Sequence, residues 1–305
     1  MSEQSASSHL AVEVASQPDL WADAAARAPG LADRLPPRGA RLAVVGCGTS
    51  WFVAQAYAAQ REERGHGETD AFTATELPLD RPYDAVLHIS RSGTTTEVIA
   101  VAEALRGRTP TYAVVATPET PLLDLVDHAV VLPDMDERSV VQTRFATSVL
   151  ALLRASVGDD LRPAIEQARA VLAEDESTAV APLVGLEQIT FLGTGWTIGP
   201  AHEAALKLRE STQSWTESYS AMEYRHGPIS IATTGRAVWV LGDAPAGLAA
   251  DVAATGARLE HRPVDALAEL VRVHRLCLAR AAALGLDPDR PRHLTRSVIL
   301  DATGG

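Results

Sequence analysis

The sequence predicts a layered α/β fold in two related halves, and three observations carry that prediction. Short apolar runs alternate with helical stretches of ten or more residues, the grammar of parallel strands joined by helical crossovers, with helices on both faces of the sheet. A strand, glycine turn and helix at Gly46 return at Gly193, about half a chain later, as a duplicated domain requires. The chain has 305 residues, 46% hydrophobic and 22% charged. That suits about two soluble globular domains and excludes disordered, collagen-like and coiled-coil chains.

Taken in order, residues 1–30 read as an acidic, alanine-rich helix that stops at Pro29-Gly30, with a Pro/Gly turn at 35–39 after it. The apolar run 42–45 is a strand, and Gly46-Cys47-Gly48-Thr49-Ser50 turns it into a helix reaching Glu63. Residues 85–89 form the next strand, 90–95 a polar loop and 96–105 a helix. Strands follow at 112–116 and 130–132, the second stopped by Pro133, then an apolar-faced helix over 140–155. A helix over 161–176 connects the halves. In the second half a strand at 188–192 enters Gly193-Thr194-Gly195-Trp196-Thr197 and a helix through 201–212. Another strand, at 237–241, stands where the first half has 85–89, but its loop Gly242-Asp243-Ala244-Pro245 lacks the serine and threonine cluster. The expectation is one site per chain, built between two lobes.

The net charge of −12 argues against a nucleic-acid surface. Cys47 and Cys277 are too few for a disulfide framework or a four-ligand zinc site, which suits a reducing, cytoplasmic setting. No apolar run approaches the roughly 20 residues of a membrane helix, and residues 1–21 lack the basic and apolar segments of a signal peptide. No second histidine follows His202-Glu203 at metal-ligand spacing, so neither a metal nor another cofactor is expected. Cys47 reads as a small filler of its turn rather than a nucleophile.

Chemistry gathers in two stretches. Ser90-Arg91-Ser92-Gly93-Thr94-Thr95-Thr96 lies between the end of a strand and the start of a helix, where backbone N–H groups and the helix dipole favour an anion. One hydroxyl would cap that helix. The loop carries five, at 90, 92, 94, 95 and 96, and the excess points to phosphate. Ligands settle at the open ends of parallel sheets. Thr49 and Ser50 supply a second hydroxyl turn at the same edge, although a lone glycine turn of this kind is common.

The second stretch is His202-Glu203-Ala204-Ala205-Leu206-Lys207-Leu208-Arg209-Glu210, helical, with Lys207 and Glu210 three apart on one face. Lys207 is the only lysine beside 26 arginines. Where a generic cation is arginine, a surviving lysine stands out as one with a specific job. His226 lies downstream in the turn Tyr224-Arg225-His226-Gly227-Pro228. A carboxylate, an ammonium and an imidazole are the groups that open a sugar ring and move a proton between adjacent carbons. A surface ion pair with an incidental histidine would show the same spacing.

Together these stretches resemble the double sugar-isomerase (SIS) domain family, most closely the isomerase half of the glutamine:fructose-6-phosphate amidotransferases. The resemblance rests on Gly46-Cys47-Gly48-Thr49-Ser50, Ser90-Arg91-Ser92-Gly93-Thr94-Thr95, Gln142-Thr143-Arg144-Phe145 and the Glu203 to Glu210 helix. Glu223-Tyr224-Arg225-His226-Gly227-Pro228 and the tail Asp289-Arg290-Pro291-Arg292-His293-Leu294-Thr295-Arg296-Ser297-Val298 complete it, in the family's order. The resemblance implies two tandem SIS lobes, each a flavodoxin-like parallel sheet flanked by helices. The implied divisions are a lead-in over 1–35, lobes over 36–158 and 181–288, a connector over 159–180 and an active-site tail over 289–305.

It also implies a sugar phosphate held by Gly48, Thr49, Ser50, Ser90, Arg91, Ser92 and Thr95, with Arg91 where the synthase usually has glutamine. Val140 and Gln142 match a loop near the sugar's C1–C2 end. Glu210 matches the base that shuttles a proton between C1 and C2, and Lys207 a lysine near the sugar hydroxyls. His226 matches the ring-opening histidine, which the family donates from the neighbouring subunit. A homodimer with shared sites follows from that.

Two departures shape the expected reaction. These residues hold no glutaminase domain, so glutamine-dependent synthesis is not expected. Arg296 stands where the synthase has the lysine that forms a Schiff base, and arginine stays charged and attacks no carbonyl. The expected activity is an amino-sugar 6-phosphate isomerase/deaminase, on glucosamine 6-phosphate or a close relative. The alternative is a dehydratase, removing water across C2–C3 of N-acetylglucosamine 6-phosphate, a route that needs no imine. A third reading is a non-catalytic sugar-phosphate sensor, which would need neither Glu210 nor His226.

Overall fold

Two all-parallel sheets organise residues 8–300, the part of the chain that the computed structural model describes. Helix α1 (His9–Arg27) starts at Ser8, whose hydroxyl accepts from the Ala11 N–H, and runs into a 3-10 turn through Pro29. The first sheet contains β1 (Leu42–Gly46), β2 (Thr69–Thr73), β3 (Ala85–Ser90), β4 (Thr111–Val115) and β5 (His128–Val131), ordered β2-β1-β3-β4-β5. This is the flavodoxin order. Side chains alternate across it. Leu42, Val44 and Leu87 face a core with α1, α2 (Thr49–Glu63) and α4 (Arg144–Ser156). Ala43, Val45 and Val86 face α3 (Thr96–Leu105).

Helix α5 (Arg162–Ala173) and two single turns, α6 (Glu176–Ala179) and α7 (Ala181–Val184), lead to the second sheet. It comprises β6 (Gln188–Gly193), β7 (Thr216–Ser220), β8 (Arg236–Leu241) and β9 (Arg258–His261), ordered β7-β6-β8-β9, the first lobe's order without its last strand. Helix α8 (Ile198–Thr212) and the long α10 (Ala266–Leu284) cover one face, around Phe191 and Trp239. The opposite face packs on α9 (Leu248–Thr255). The expected pair of tandem α/β lobes is therefore present. No helix among the described residues is long and apolar enough to cross a membrane.

The repeated glycine has the same physical job in both lobes. A β-carbon on Gly46 would lie 2.6 Å from the Ser50 carbonyl carbon, and one on Gly193 would lie 2.3 Å from the Thr197 oxygen. Only glycine lets the following turn fold back onto the strand end. The lobes are then clasped across their inner helices. Arg154 of α4 donates to both oxygens of Asp265, the N-cap of α10, at 2.8 and 2.7 Å, and lies 4.5 Å over the Trp196 ring.

Some elements depart from the sequence reading. Edge strands β2, β7 and β9 and helices α9 and α10 are additional to it. The helix expected over 140–155 begins only at Arg144, because the buried Glu137 carboxylate accepts from the Thr143 and Arg144 N–H groups and holds 137–143 as a loop. The expected connector over 161–176 ends at Ala173 and breaks into the two short turns.

Candidate active site

Strand order in the first sheet reverses between β1 and β3, so the loops leaving their carboxyl ends diverge and leave a crevice. One loop delivers Gly48 and Thr49, the other Ser90 to Thr95. From the second lobe, α8 packs against α2 and brings Lys207 and Glu210 to the same place. The resulting pocket, about 250 Å³, is lined by Gly48, Thr49, Arg91, Thr95, Val140, Gln142, Lys207 and Glu210, with tail residues Leu294 to Val298 across it.

Lys207 is 1% exposed. Its ammonium donates to Glu210 Oε2 at 2.5 Å and Thr49 Oγ1 at 3.0 Å, and lies 3.5 Å from Glu203 Oε1. Burial alone would pull its pKa down; Glu203 and Glu210 beside it more than offset this, and the ammonium is held charged. The i,i+3 pair of the sequence is thus a buried one, reaching across both lobes through Thr49. Glu210 keeps the larger opening to the pocket, its side chain 18% exposed.

The hydroxyl loop is bonded within itself, and the tail lies on it. Gly93 N–H donates to Ser90 Oγ at 3.1 Å and Thr94 N–H to Ser92 Oγ at 3.2 Å. Ser297 Oγ then meets Ser92, Thr94 and Thr95 hydroxyls at 3.2, 3.0 and 3.4 Å. At the start of α3 the Thr96 N–H donates to the Val298 carbonyl at 3.2 Å. The groups expected to meet a phosphate meet a serine hydroxyl and a carbonyl of the same chain.

Arg91 and Arg296 differ most from a simple reading of their positions. Arg91 is 2% exposed. Its terminal nitrogens donate to Glu137, the Ser139 and Val140 carbonyls, and the Arg296 carbonyl at 3.2 Å. Only its Nε remains without a partner among the described residues. Arg91 therefore joins the hydroxyl loop, the 137–140 loop and the tail. Arg296 lines the pocket, yet its guanidinium is turned to Asp136, the Glu137 carbonyl and Thr117 Oγ1. It anchors the tail to the first lobe.

Ser50, Ser90, Ser92 and His226 lie off the pocket lining. Ser50 is buried in the first turn of α2, Ser90 accepts from the Gly93 N–H, and Ser92 accepts from the Thr94 N–H while meeting Ser297. His226 sits on an exposed 3-10 turn of the second lobe. Three residues that matter here were given no role from sequence: Glu137, Ser297 and Glu203. For Glu203 a signal exists, since positions 203, 207 and 210 share one helix face at i, i+4 and i+7.

This architecture, two parallel lobes with a shared crevice, is the double SIS fold. No family model matches the chain. Over 85% of its length it is 26% identical to the glutamine–fructose-6-phosphate aminotransferase [isomerizing] of Rhizobium leguminosarum bv. viciae, and over 86% it is 27% identical to that of Bradyrhizobium diazoefficiens. The chain spans about half, 52%, of the length of each. It superposes on the tagatose-6-phosphate ketose/aldose isomerase of Escherichia coli with a TM-score of 0.79 and 19% identity, covering 97% of this chain and 98% of that one. On the glucosamine-6-phosphate deaminase of Thermotoga maritima the TM-score is 0.76 with 24% identity, covering 96% and 100%. The likeness to SIS isomerase halves expected from the motifs thus extends over most of the chain.

Proposed function

We propose that the protein is a sugar-phosphate isomerase/deaminase acting on an amino-sugar 6-phosphate, with glucosamine 6-phosphate as the first substrate to try. The observation that carries this reading is the buried Lys207–Glu210 pair, 2.5 Å apart, at the crevice that also holds the hydroxyl loop. The substrate phosphate takes the place of Ser297 on the Ser92, Thr94 and Thr95 hydroxyls and the α3 amide groups. The open-chain C1–C2 end then reaches Glu210 and Lys207.

The Glu210 carboxylate takes the proton from C2, and the electron pair shifts into a C1–C2 double bond as the C1 carbonyl oxygen takes a proton from the sugar's own C2 ammonium. The Lys207 ammonium supports the charge that builds on that oxygen. Glu210 returns its proton to C1, which leaves a C2 imine; water converts this to the ketone with release of ammonia. Opening of the sugar ring falls to His226 of a second copy, since the His226 of this chain lies on an exposed turn away from the pocket. A homodimer with shared sites follows.

Proton NMR in heavy water tests the reading. Glucosamine 6-phosphate loses its C2 proton signal while a ketose and ammonium appear, and the Glu210→Gln protein does neither. Equal mixing of Glu210→Gln and His226→Ala proteins restores part of the activity if sites are shared. One observation favours a second reading. With the Arg296 guanidinium tied to Asp136, the tail offers no imine-forming amine, which suits loss of water across C2–C3 of N-acetylglucosamine 6-phosphate. Olefinic signals from that sugar, without ammonium, would replace the first reading by the second. No exchange with either sugar, or with fructose 6-phosphate, would sink both.

A further inference from the structure

The proton transfer just described makes no use of Glu203, yet this is the most deeply buried acid of the cluster. Its Oε1 accepts from Thr49 Oγ1 at 3.3 Å. Its Oε2 is buried with no hydrogen-bond partner among the described residues. The side chain borders a crevice of about 10 Å³ walled mainly by Phe52, Val53, Leu150, Leu267 and Leu270. A water needs that much room and also two or more polar partners, which this wall does not offer. An ionised carboxylate with one oxygen against hydrocarbon is costly, and a neutral acid much less so. The ammonium of Lys207 leans accordingly, 2.5 Å from Glu210 and 3.5 Å from Glu203.

We infer that Glu203 is a positioning residue that works as a neutral acid: holding its own proton, it leaves the charge of Lys207 to Glu210 and to the oxygen of the reacting sugar. The inference rests on the reading of Glu210 as the base. Burial first, and then the neighbouring Glu210, push Glu203 up to about 7 against the pull of Lys207. Titratable and charged groups face this cluster from several elements, and burial pushes Glu137 up as well, so Glu203→Gln makes the assignment. On α8 these are Lys207, Glu210 and Arg209; α2 contributes the Thr49 hydroxyl, and the loop before α4 the carboxylate of Glu137. On α10, burial pushes the His274 imidazole down to about 3 and the Cys277 thiol up to about 12. Neither α10 group changes charge near neutrality.

Above neutral pH, Glu203 ionises, competes for Lys207 and draws it away from the reacting oxygen. The wild-type turnover number then falls about twentyfold between pH 6.5 and 8.5, following one group titrating near 7. In Glu203→Gln the same pH ratio stays within about twofold, because the amide fixes the neutral shape. An equal fall in both proteins overturns the inference. A readout without turnover accompanies it: NMR of protein carrying 13C-labelled glutamate carboxyls, followed from pH 5 to 9. One signal titrating near 7, absent in Glu203→Gln, is expected. If the variant does not fold, Thr49→Val moves that signal to higher pH, since the ionised form loses its hydroxyl donor. No signal titrating near 7 in the wild type rejects the inference whatever the enzyme does. Such a signal with no C2 exchange from any sugar rejects the proposed activity and leaves the protonated Glu203 standing.

Discussion

Lys207 shows how one side chain can be fixed by its surroundings. Three oxygens from two lobes converge on a single ammonium. Arginine offers five donors in a rigid plane and fits a point-like cage poorly, which gives a physical reason for the one lysine in this chain. Removing the charge leaves the Glu210 carboxylate without its cation, beside the buried acid of Glu203. Breaking a buried pair by deleting one partner typically costs about 3–5 kcal/mol. Lys207→Met is therefore expected to lower the unfolding free energy from urea titration by that amount at pH 7.5, seen as a lower midpoint with an unchanged slope. A loss below about 1 kcal/mol would mean that the cage is open to water and that Lys207 is not the cross-lobe tie described here.

At the scale of elements, the tail from Asp289 to Leu300 is the segment whose position decides whether the hydroxyl loop is free. Asp289 caps the α1 N-terminus through the His9 and Leu10 N–H groups, Arg296 grips Asp136, and Ser297 and Val298 sit on the hydroxyl loop. On the proposed function, an incoming phosphate must displace the contacts of those last two residues. Counting one net hydrogen bond for each of the two residues, at about 0.5–1.5 kcal/mol each, gives roughly a five- to hundredfold effect. A protein lacking residues 297–305 is thus expected to bind inorganic phosphate at least about fivefold more tightly by titration calorimetry. Unchanged affinity would place phosphate elsewhere.

The elements also explain what the sequence could and could not reveal. Central strands β1, β3, β4, β6 and β8 are apolar and bounded by turns, so they were legible to within a residue or so. The missed strands, Thr69–Thr73, Thr216–Ser220 and Arg258–His261, are edges that carry hydroxyls and charges on half-exposed faces, where strand composition is weakest. Helix α10 hid differently. It is buried nearly all round and holds Glu269, Arg272 and His274 inside, so no polar face marks its period. The hydroxyl loop and the Lys207–Glu210 pair were readable because both are local in sequence. The arginine anchors, Arg91 on Glu137 and Arg296 on Asp136, depend on contacts between residues far apart in the chain, which no spacing announces.

For the molecule as a whole, stability against acid depends on what the interior keeps neutral. His88 stands in the middle of β3, fully buried, with both ring nitrogens unpartnered among the described residues. Burial pushes its pKa down to about 4 from the ordinary 6.5. The unfolded chain takes up this proton as pH falls through 6.5, while the folded protein resists until about pH 4; stability contributed above 6.5 is therefore lost between 6.5 and 4. His274, on α10, acts with the same sign, whereas Glu203, raised to about 7, is protonated in the fold first and opposes them. The contribution of His88 is best isolated as a difference. His88→Leu removes a titrating ring and an unsatisfied polar group from an apolar sheet face, so it stabilises the protein by about 1–3 kcal/mol at pH 7.5. At about 1.4 kcal/mol per pKa unit, the advantage grows by roughly a further 2 kcal/mol at pH 5. Urea unfolding of both proteins at pH 7.5, 6.5 and 5 measures it. An advantage that stays constant with pH would show that the ring is already charged, or solvated, in the folded protein.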